Sequence, residues 1–150
     1  MDEIHRLSND LVVLVARLVR DVRRNNVTIP AASMRVLSLI DELGATTVGV
    51  LAEHDRCSQP TMTGLVNGLE ERGWAERAPH PDDSRANLVS LTELGRKTLS
   101  VLRQNNADLI ARRIAASGRP LSDLDTAVAL LRDLLPDETQ FPLNTREGTK

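Results

Sequence analysis

Aromatic side chains are nearly missing from this chain, which has one Trp, one Phe and no Tyr in 150 residues. A core without rings has to be filled by Leu, Val, Ile and Ala. Helix-on-helix packing is the economical way to do that, so the composition points to a mostly α fold. Cysteine is as scarce: a single Cys57 excludes an intramolecular disulfide framework and a CxxC metal knuckle, and fits a reducing cytosol. No apolar run reaches the length of a membrane span, and the first residues have no charged segment leading into an apolar signal. The expectation is a cytoplasmic protein. Excess positive charge is lacking too. A formal net charge of -2 removes the global signature of a nucleic-acid binder and leaves only local placement of Arg, which carries almost all the positive charge and forks onto phosphates and bases. Signatures of catalysis are also missing. There is no GxGxxG or GxxxxGK(S/T) run, no nucleophile elbow and no paired carboxylates with an acid or base partner, while His5, His54 and His80 are scattered without metal-ligand spacing. Neither an enzyme nor a metal or cofactor site is expected.

What is present is 41% hydrophobic content, enough for the modest core of one domain. Ile4, Leu7, Leu11, Leu14, Val15, Leu18 and Val22 recur at three and four, which predicts an amphipathic first helix whose stripe needs a partner, with a second subunit as the candidate cover and packing within its own domain as the alternative. Asn25 and Asn26 break it. Thr28 is placed to cap a second helix with Pro30 in its first turn, Val36, Leu37, Ile40 and Leu43 inside and Gly44 at its end. Thr46 or Thr47 caps a short third helix through roughly His54. Asp55, Arg56 and Cys57 make a tight turn, and Ser58 caps a fourth helix with Pro60 in its permissive first turn and Met62, Leu65, Val66 and Leu69 inward, ending at Gly73. Two short helices joined by a tight turn form a helix-turn-helix.

The outward face of the fourth helix carries Ser58, Gln59, Thr61, Thr63 and Asn67. Gly64 lies among them to allow close approach. Short hydrogen-bonding side chains of this kind suit base edges and phosphates at the floor of a major groove, whereas a merely solvated face more often carries Lys and Glu. Trp74 to Ala78 and Leu88 to Leu91 read as paired strands around the polar loop Pro79 to Arg85, a hairpin wing. Its Arg85 suits a narrow minor groove, where negative potential is concentrated, and Asp83 is expected to pair with Arg77 and fix the loop. Thr92 and Glu93 open a long helix to about Ser117, closed by Gly118 and Pro120. Ser122 is expected to cap a last helix carrying Leu124, Val128, Leu131, Leu134 and Leu135, stopped by Pro136, and residues 137–150 are expected to fray.

The order of these helices, the run LTELG from Leu91 to Gly95, and Arg77, Asp83 and Arg85 in RAPHPDDSR together resemble the MarR family of winged-helix transcription regulators. The likeness covers the chain to about Pro136. It implies a mostly α fold with a β-hairpin wing: a dimerisation helix at 1–28, a winged helix-turn-helix at 29–97, dimerisation helices at 98–136 and a flexible tail at 137–150. It also implies a homodimer on a pseudo-palindromic double-stranded operator, with DNA met by Ser58, Gln59, Pro60, Thr61, Thr63, Gly64, Asn67, Arg77, Asp83 and Arg85. Such regulators commonly repress, and a small anionic or phenolic effector releases them; Val15, Met34 and Arg35 are the positions suggested for lining its cleft. The chain departs from the family where Asp55 and Arg56 replace an apolar residue and Gly in the turn, where Asn67 and Gly68 replace a charged pair, and where Trp74 replaces a smaller aliphatic.

Two other readings stand beside a ligand-released regulator. Cys57 sits in the turn beside Arg56 and the start of the fourth helix, which could lower its pKa and make the protein a thiol-based redox sensor, although a free Cys is most often a buried packing residue. The acidic balance would also suit a helical protein-interaction module.

Overall fold

The computed structural model describes residues 2–26 and 28–135. They fall into two units, one up to residue 31 and one from residue 32 onward. The first unit is essentially one helix, α1 (Glu3–Arg24). The three-and-four spacing of its apolar residues makes it strongly amphipathic, yet no residue of α1 is buried. Ile4, Leu7, Leu14 and Leu18 are all exposed. Asn25 ends the helix, its Nδ2 donating to the Asp21 carbonyl at 2.9 Å.

The second unit comprises α2 (Ala31–Leu43), α3 (Val48–Asp55), α4 (Gln59–Glu71), β1 (Ala75–Pro79), β2 (Asn87–Leu91), α5 (Glu93–Ser117) and α6 (Leu121–Leu134). Its core is aliphatic apart from two Met. Val36, Leu37 and Ile40 of α2, Leu51 of α3, Met62, Val66 and Leu69 of α4 and Val89 of β2 are all fully or almost fully buried. The strands pair antiparallel with Ala75 opposite Leu91 and Pro79 opposite Asn87. Thr46 adds a single bridge on the free edge of β2, exchanging two backbone hydrogen bonds with Val89 at 3.0 and 2.7 Å. Beyond Leu102 no residue of α5 is buried, nor is any of α6.

The LTELG run is explained by one junction. Leu91 ends β2 in the core, and Thr92 caps α5 by accepting from Gly95 N at 3.0 Å. The Thr92 hydroxyl donates to the Gly73 carbonyl at 2.5 Å, and its N–H to the Trp74 carbonyl at 3.1 Å. Gly95 has to lack a side chain: a Cβ there would lie 1.9 Å from the Trp74 carbonyl oxygen. The motif thus staples the start of α5 to the end of α4.

Several boundaries differ from expectation; the hairpin pairs one residue further, with Pro79 and Asn87 in the strands rather than the loop. Thr28 does not cap α2, which starts at Ala31 just after Pro30. A Thr28 cap would place Ile29 in helical conformation directly before a proline, which the ring disfavours. Ser122 does not cap α6 either. Pro120 takes that position with φ -68° and ψ 152°, its carbonyl accepting from Asp123 N at 3.1 Å, while Arg119 pairs with Asp123 at 2.9 Å. The first strand starts at Ala75 rather than Trp74, because Trp74 belongs to the helix stop. With Gly73 at φ 73°, Trp74 N–H reaches the Leu69 carbonyl and Gly73 N–H the Glu70 carbonyl, the paired closure that satisfies the last carbonyls of a helix. The expected Pro136 stop and the tail lie outside the described residues.

Candidate nucleic-acid interface

The turn between α3 and α4 is pinned at both ends. Thr47 caps α3, accepting from Val50 N at 3.3 Å. At its other end Arg56 takes the left-handed conformation, φ 54°, where glycine is usual. Cys57 N–H then closes onto the Ala52 carbonyl at 3.1 Å. Asp55 is folded in, its side chain only 6% exposed, and it takes a bidentate ion pair from Arg35 of α2, Nε to Oδ1 at 2.5 Å and Nη2 to Oδ2 at 3.0 Å. The substitution of Asp-Arg for an apolar residue and Gly therefore ties the turn to α2 instead of loosening it.

Ser58 caps α4 as expected. Its hydroxyl oxygen accepts from Thr61 N at 3.2 Å and lies 2.7 Å from Thr61 Oγ1. Met62, Val66 and Leu69, spaced at four and three, turn one face into the core. That burial leaves Gln59, Pro60, Thr61, Gly64 and Asn67 exposed and Thr63 half-buried. Nothing lies within 4 Å of where a Gly64 Cβ would point, so a partner's surface can come close to the backbone there.

The wing is held by its own backbone. His80 N–H donates to the Ala86 carbonyl and Ala86 N–H to the Asp83 carbonyl. Asp83 Oδ1 accepts from Arg85 N at 2.9 Å, and His80 Nδ1 from Asp82 N at 3.1 Å. Arg85 stands exposed at the tip. The expected Asp83–Arg77 brace does not form. Arg77 instead gives Nη1 to Glu70 and Nη2 to Asn67 Oδ1, the latter at 3.0 Å. The reason is packing: α4 lies against β1, so acceptors one turn apart on that helix face Arg77, while Asp83 is spent on the loop backbone. Asp83 still shapes the wing, through Arg85's N–H.

Glu70 was not singled out by the sequence reading, though it sits three residues after Asn67 and so on the same helix face. Arg72 was also missed. It donates to the buried Ser33 hydroxyl of α2 at 3.2 Å and lies over the Trp74 ring, 5.2 Å from its centroid.

The residues suggested for an effector cleft are not alike. Met34 is buried in the core at 6% exposure, Arg35 is engaged by Asp55, and Val15 is half-buried in the first unit. Cys57 is half-buried, and its thiol is pushed up from the ordinary range by burial first and by the Asp55 carboxylate second; Arg35 opposes this more weakly. The shift runs opposite to the lowering that Arg56 and the start of α4 could have produced. Among the described residues no cluster could hold a metal ion, and no helix is long and apolar enough to cross a membrane.

Comparison with known proteins agrees with this geometry. The family model described as the MarR family matches residues 29–86, the span from the start of α2 to the wing. The chain is 34% identical to an HTH-type transcriptional regulator of Mycobacterium tuberculosis over 141 residues, 93% of this chain and 99% of that one. The crystal structure of a transcriptional regulator protein from Pseudomonas aeruginosa matches with a TM-score of 0.78 at 27% identity, covering 89% of this chain and 96% of that one. Streptococcus pneumoniae FabT, solved in complex with DNA, shares the fold with a TM-score of 0.62 at 18% identity, over 88% and 94% of the two chains. With its helix-turn-helix, its hairpin wing and the stapled entry to α5, the chain belongs to the MarR family and is a DNA-binding transcriptional regulator, not an enzyme.

Proposed function

We propose that two copies of the chain grip a pseudo-palindromic operator, each laying α4 in a major groove and its wing in the neighbouring minor groove, and that the complex represses transcription in the cytoplasm until a small anionic or phenolic ligand releases it. The observation that carries this reading is the pairing, on one unit, of an exposed α4 face of Gln59, Thr61 and Asn67 with an exposed Arg85 on the wing. Short polar side chains read base edges, and a guanidinium at a hairpin tip suits a narrow minor groove. A net charge of -2 leaves little nonspecific attraction, so affinity rests on where these groups point.

A homodimer is supported by the apolar surface that each unit leaves uncovered: Leu7, Leu14 and Leu18 on α1, and Leu131, Leu134 and Leu135 at the end of α6. The complex of FabT with DNA supports DNA as the partner. An anionic effector suits Arg35, which it would have to win from Asp55. Since that pair joins α2 to the α3–α4 turn, such competition would reach the recognition helix directly.

Mobility-shift titration of the DNA upstream of its own gene, over a range of salt, tests the reading. Sequence-selective retardation with a steep salt dependence is the expected result. No retardation at low salt would favour a protein-interaction module instead.

A further inference from the structure

The Arg77 contact fixes which end of the Asn67 carboxamide faces outward. Arginine has five N–H donors and no acceptor, so the atom of Asn67 that meets Arg77 Nη2 at 3.0 Å must be its oxygen. Arg77 cannot easily turn away. It sits on β1 opposite Val89, and its other terminal nitrogen is held by the Glu70 carboxylate, with both side chains of that pair less than a third exposed. Asn67 is exposed on the outward face of α4, so with its oxygen turned to the wing, its Nδ2 and two N–H donors are what it offers beyond the protein.

We propose that Asn67 is a specificity-determining residue that reads an acceptor edge of one base pair in each half-site, guanine above all, and that Arg77 and Glu70 are its positioning residues. The inference rests on α4 entering the major groove, as proposed above. Asparagine's familiar choice, adenine, needs both ends of the amide at once, the oxygen accepting from N6 and the nitrogen donating to N7. Here the oxygen is drawn to Arg77. Guanine instead offers two adjacent acceptors, O6 and N7, and no donor on that edge. The network that steadies the wing against the helix would thereby also set what the helix reads.

The test is selection of preferred sites from a random duplex library by the wild type, Asn67→Asp and Arg77→Met, followed by affinity for the selected and a scrambled duplex. Asn67→Asp keeps the oxygen that Arg77 grips and turns the outward donor into an acceptor. The expected result is a change at one base pair per half-site from guanine to cytosine, whose N4 donates to a carboxylate, with a preference of roughly tenfold or more in each direction. Arg77→Met frees the amide and should admit adenine at that same position. Thermal melting of each variant reports folding; if Arg77→Met does not fold, Asn67→Asp decides alone. Should Asn67→Asp weaken all duplexes equally and leave every base preference in place, Asn67 meets phosphate and the inference is overturned. A wild type that selects no sequence at all would sink the DNA-reading proposal itself, an outcome distinct from an unchanged preference in the variants.

Discussion

Single residues carry costs that the geometry makes measurable. Gly95 admits no side chain, because the Trp74 carbonyl oxygen would be 1.9 Å from its Cβ. Gly95→Ala must therefore push the β1 entry away from α5. A loss of about 2–3 kcal/mol is expected in denaturant unfolding, and a loss below about 0.5 kcal/mol would mean the junction is slack. Arg56 pays the opposite kind of penalty. At φ 54° a side chain costs about 1–2 kcal/mol relative to glycine, against about 0.4–1 kcal/mol of extra chain entropy that glycine brings to the unfolded state. Arg56→Gly should thus stabilise by roughly 0.5–1 kcal/mol, a melting temperature higher by about 1–4 °C; an unchanged or lower value would show that Arg56 makes a compensating contact. Cys57 is the third case. With its thiol pushed up by burial and by Asp55, it binds its proton in the folded state at pH values where the unfolded chain has begun to lose it. Its contribution to stability is therefore present below the ordinary thiol range and falls as pH rises through the folded pKa. At pH 8 it should alkylate with iodoacetamide more slowly than a free cysteine in a peptide. Equal or faster reaction would favour a sensing role.

Between elements, what could be foreseen from the chain was what depends on neighbours in sequence. The caps Thr47, Ser58 and Thr92, the stops at Gly73 and Gly118, and the inward faces of α2 and α4 all follow from residues within one or two turns of each other. The same local reading located the exposed face of α4 and the exposed Arg85. It failed where a charged side chain chooses among partners distant along the chain. Asp83 is nearer Arg77 in sequence than Glu70 is by only one residue, and nothing in the spacing reveals that the helix, not the wing tip, lies under β1. Arg35 likewise finds Asp55 twenty positions away. That pair is the tie between α2 and the α3–α4 turn, and Arg35→Ala removes two bonds to an almost buried carboxylate. A cost of about 2 kcal/mol is expected, held below the fully buried range because Arg35 is itself 39% exposed; calorimetric melting in which the variant matches the wild type would show the tie is ornamental. The wing makes its own prediction. Arg85→Ala should leave folding intact, weaken operator binding most on A·T-rich flanks and lower the salt slope by about one. Equal affinity would argue against entry into the minor groove.

At the scale of the whole molecule, the apolar surface on α1 and α6 has to be covered or it becomes an aggregation hazard. A second copy is the proposed cover, and the symmetry of that pairing sets how the two α4 helices are spaced. Leu7→Arg and Leu134→Arg, at residues 53% and 59% exposed, should shift sedimentation toward the monomer and cost operator affinity while the helix-turn-helix keeps its melting behaviour. Variants that stay dimeric would place the interface elsewhere. The most direct test of the central claim is hydroxyl-radical footprinting on a duplex selected by the protein. Two protected patches on one face of the DNA, about 34 Å apart between centres, flanked by minor-groove protection that disappears with Arg85→Ala, are the predicted pattern. A single patch, or protection unaffected by Arg85→Ala, would contradict it.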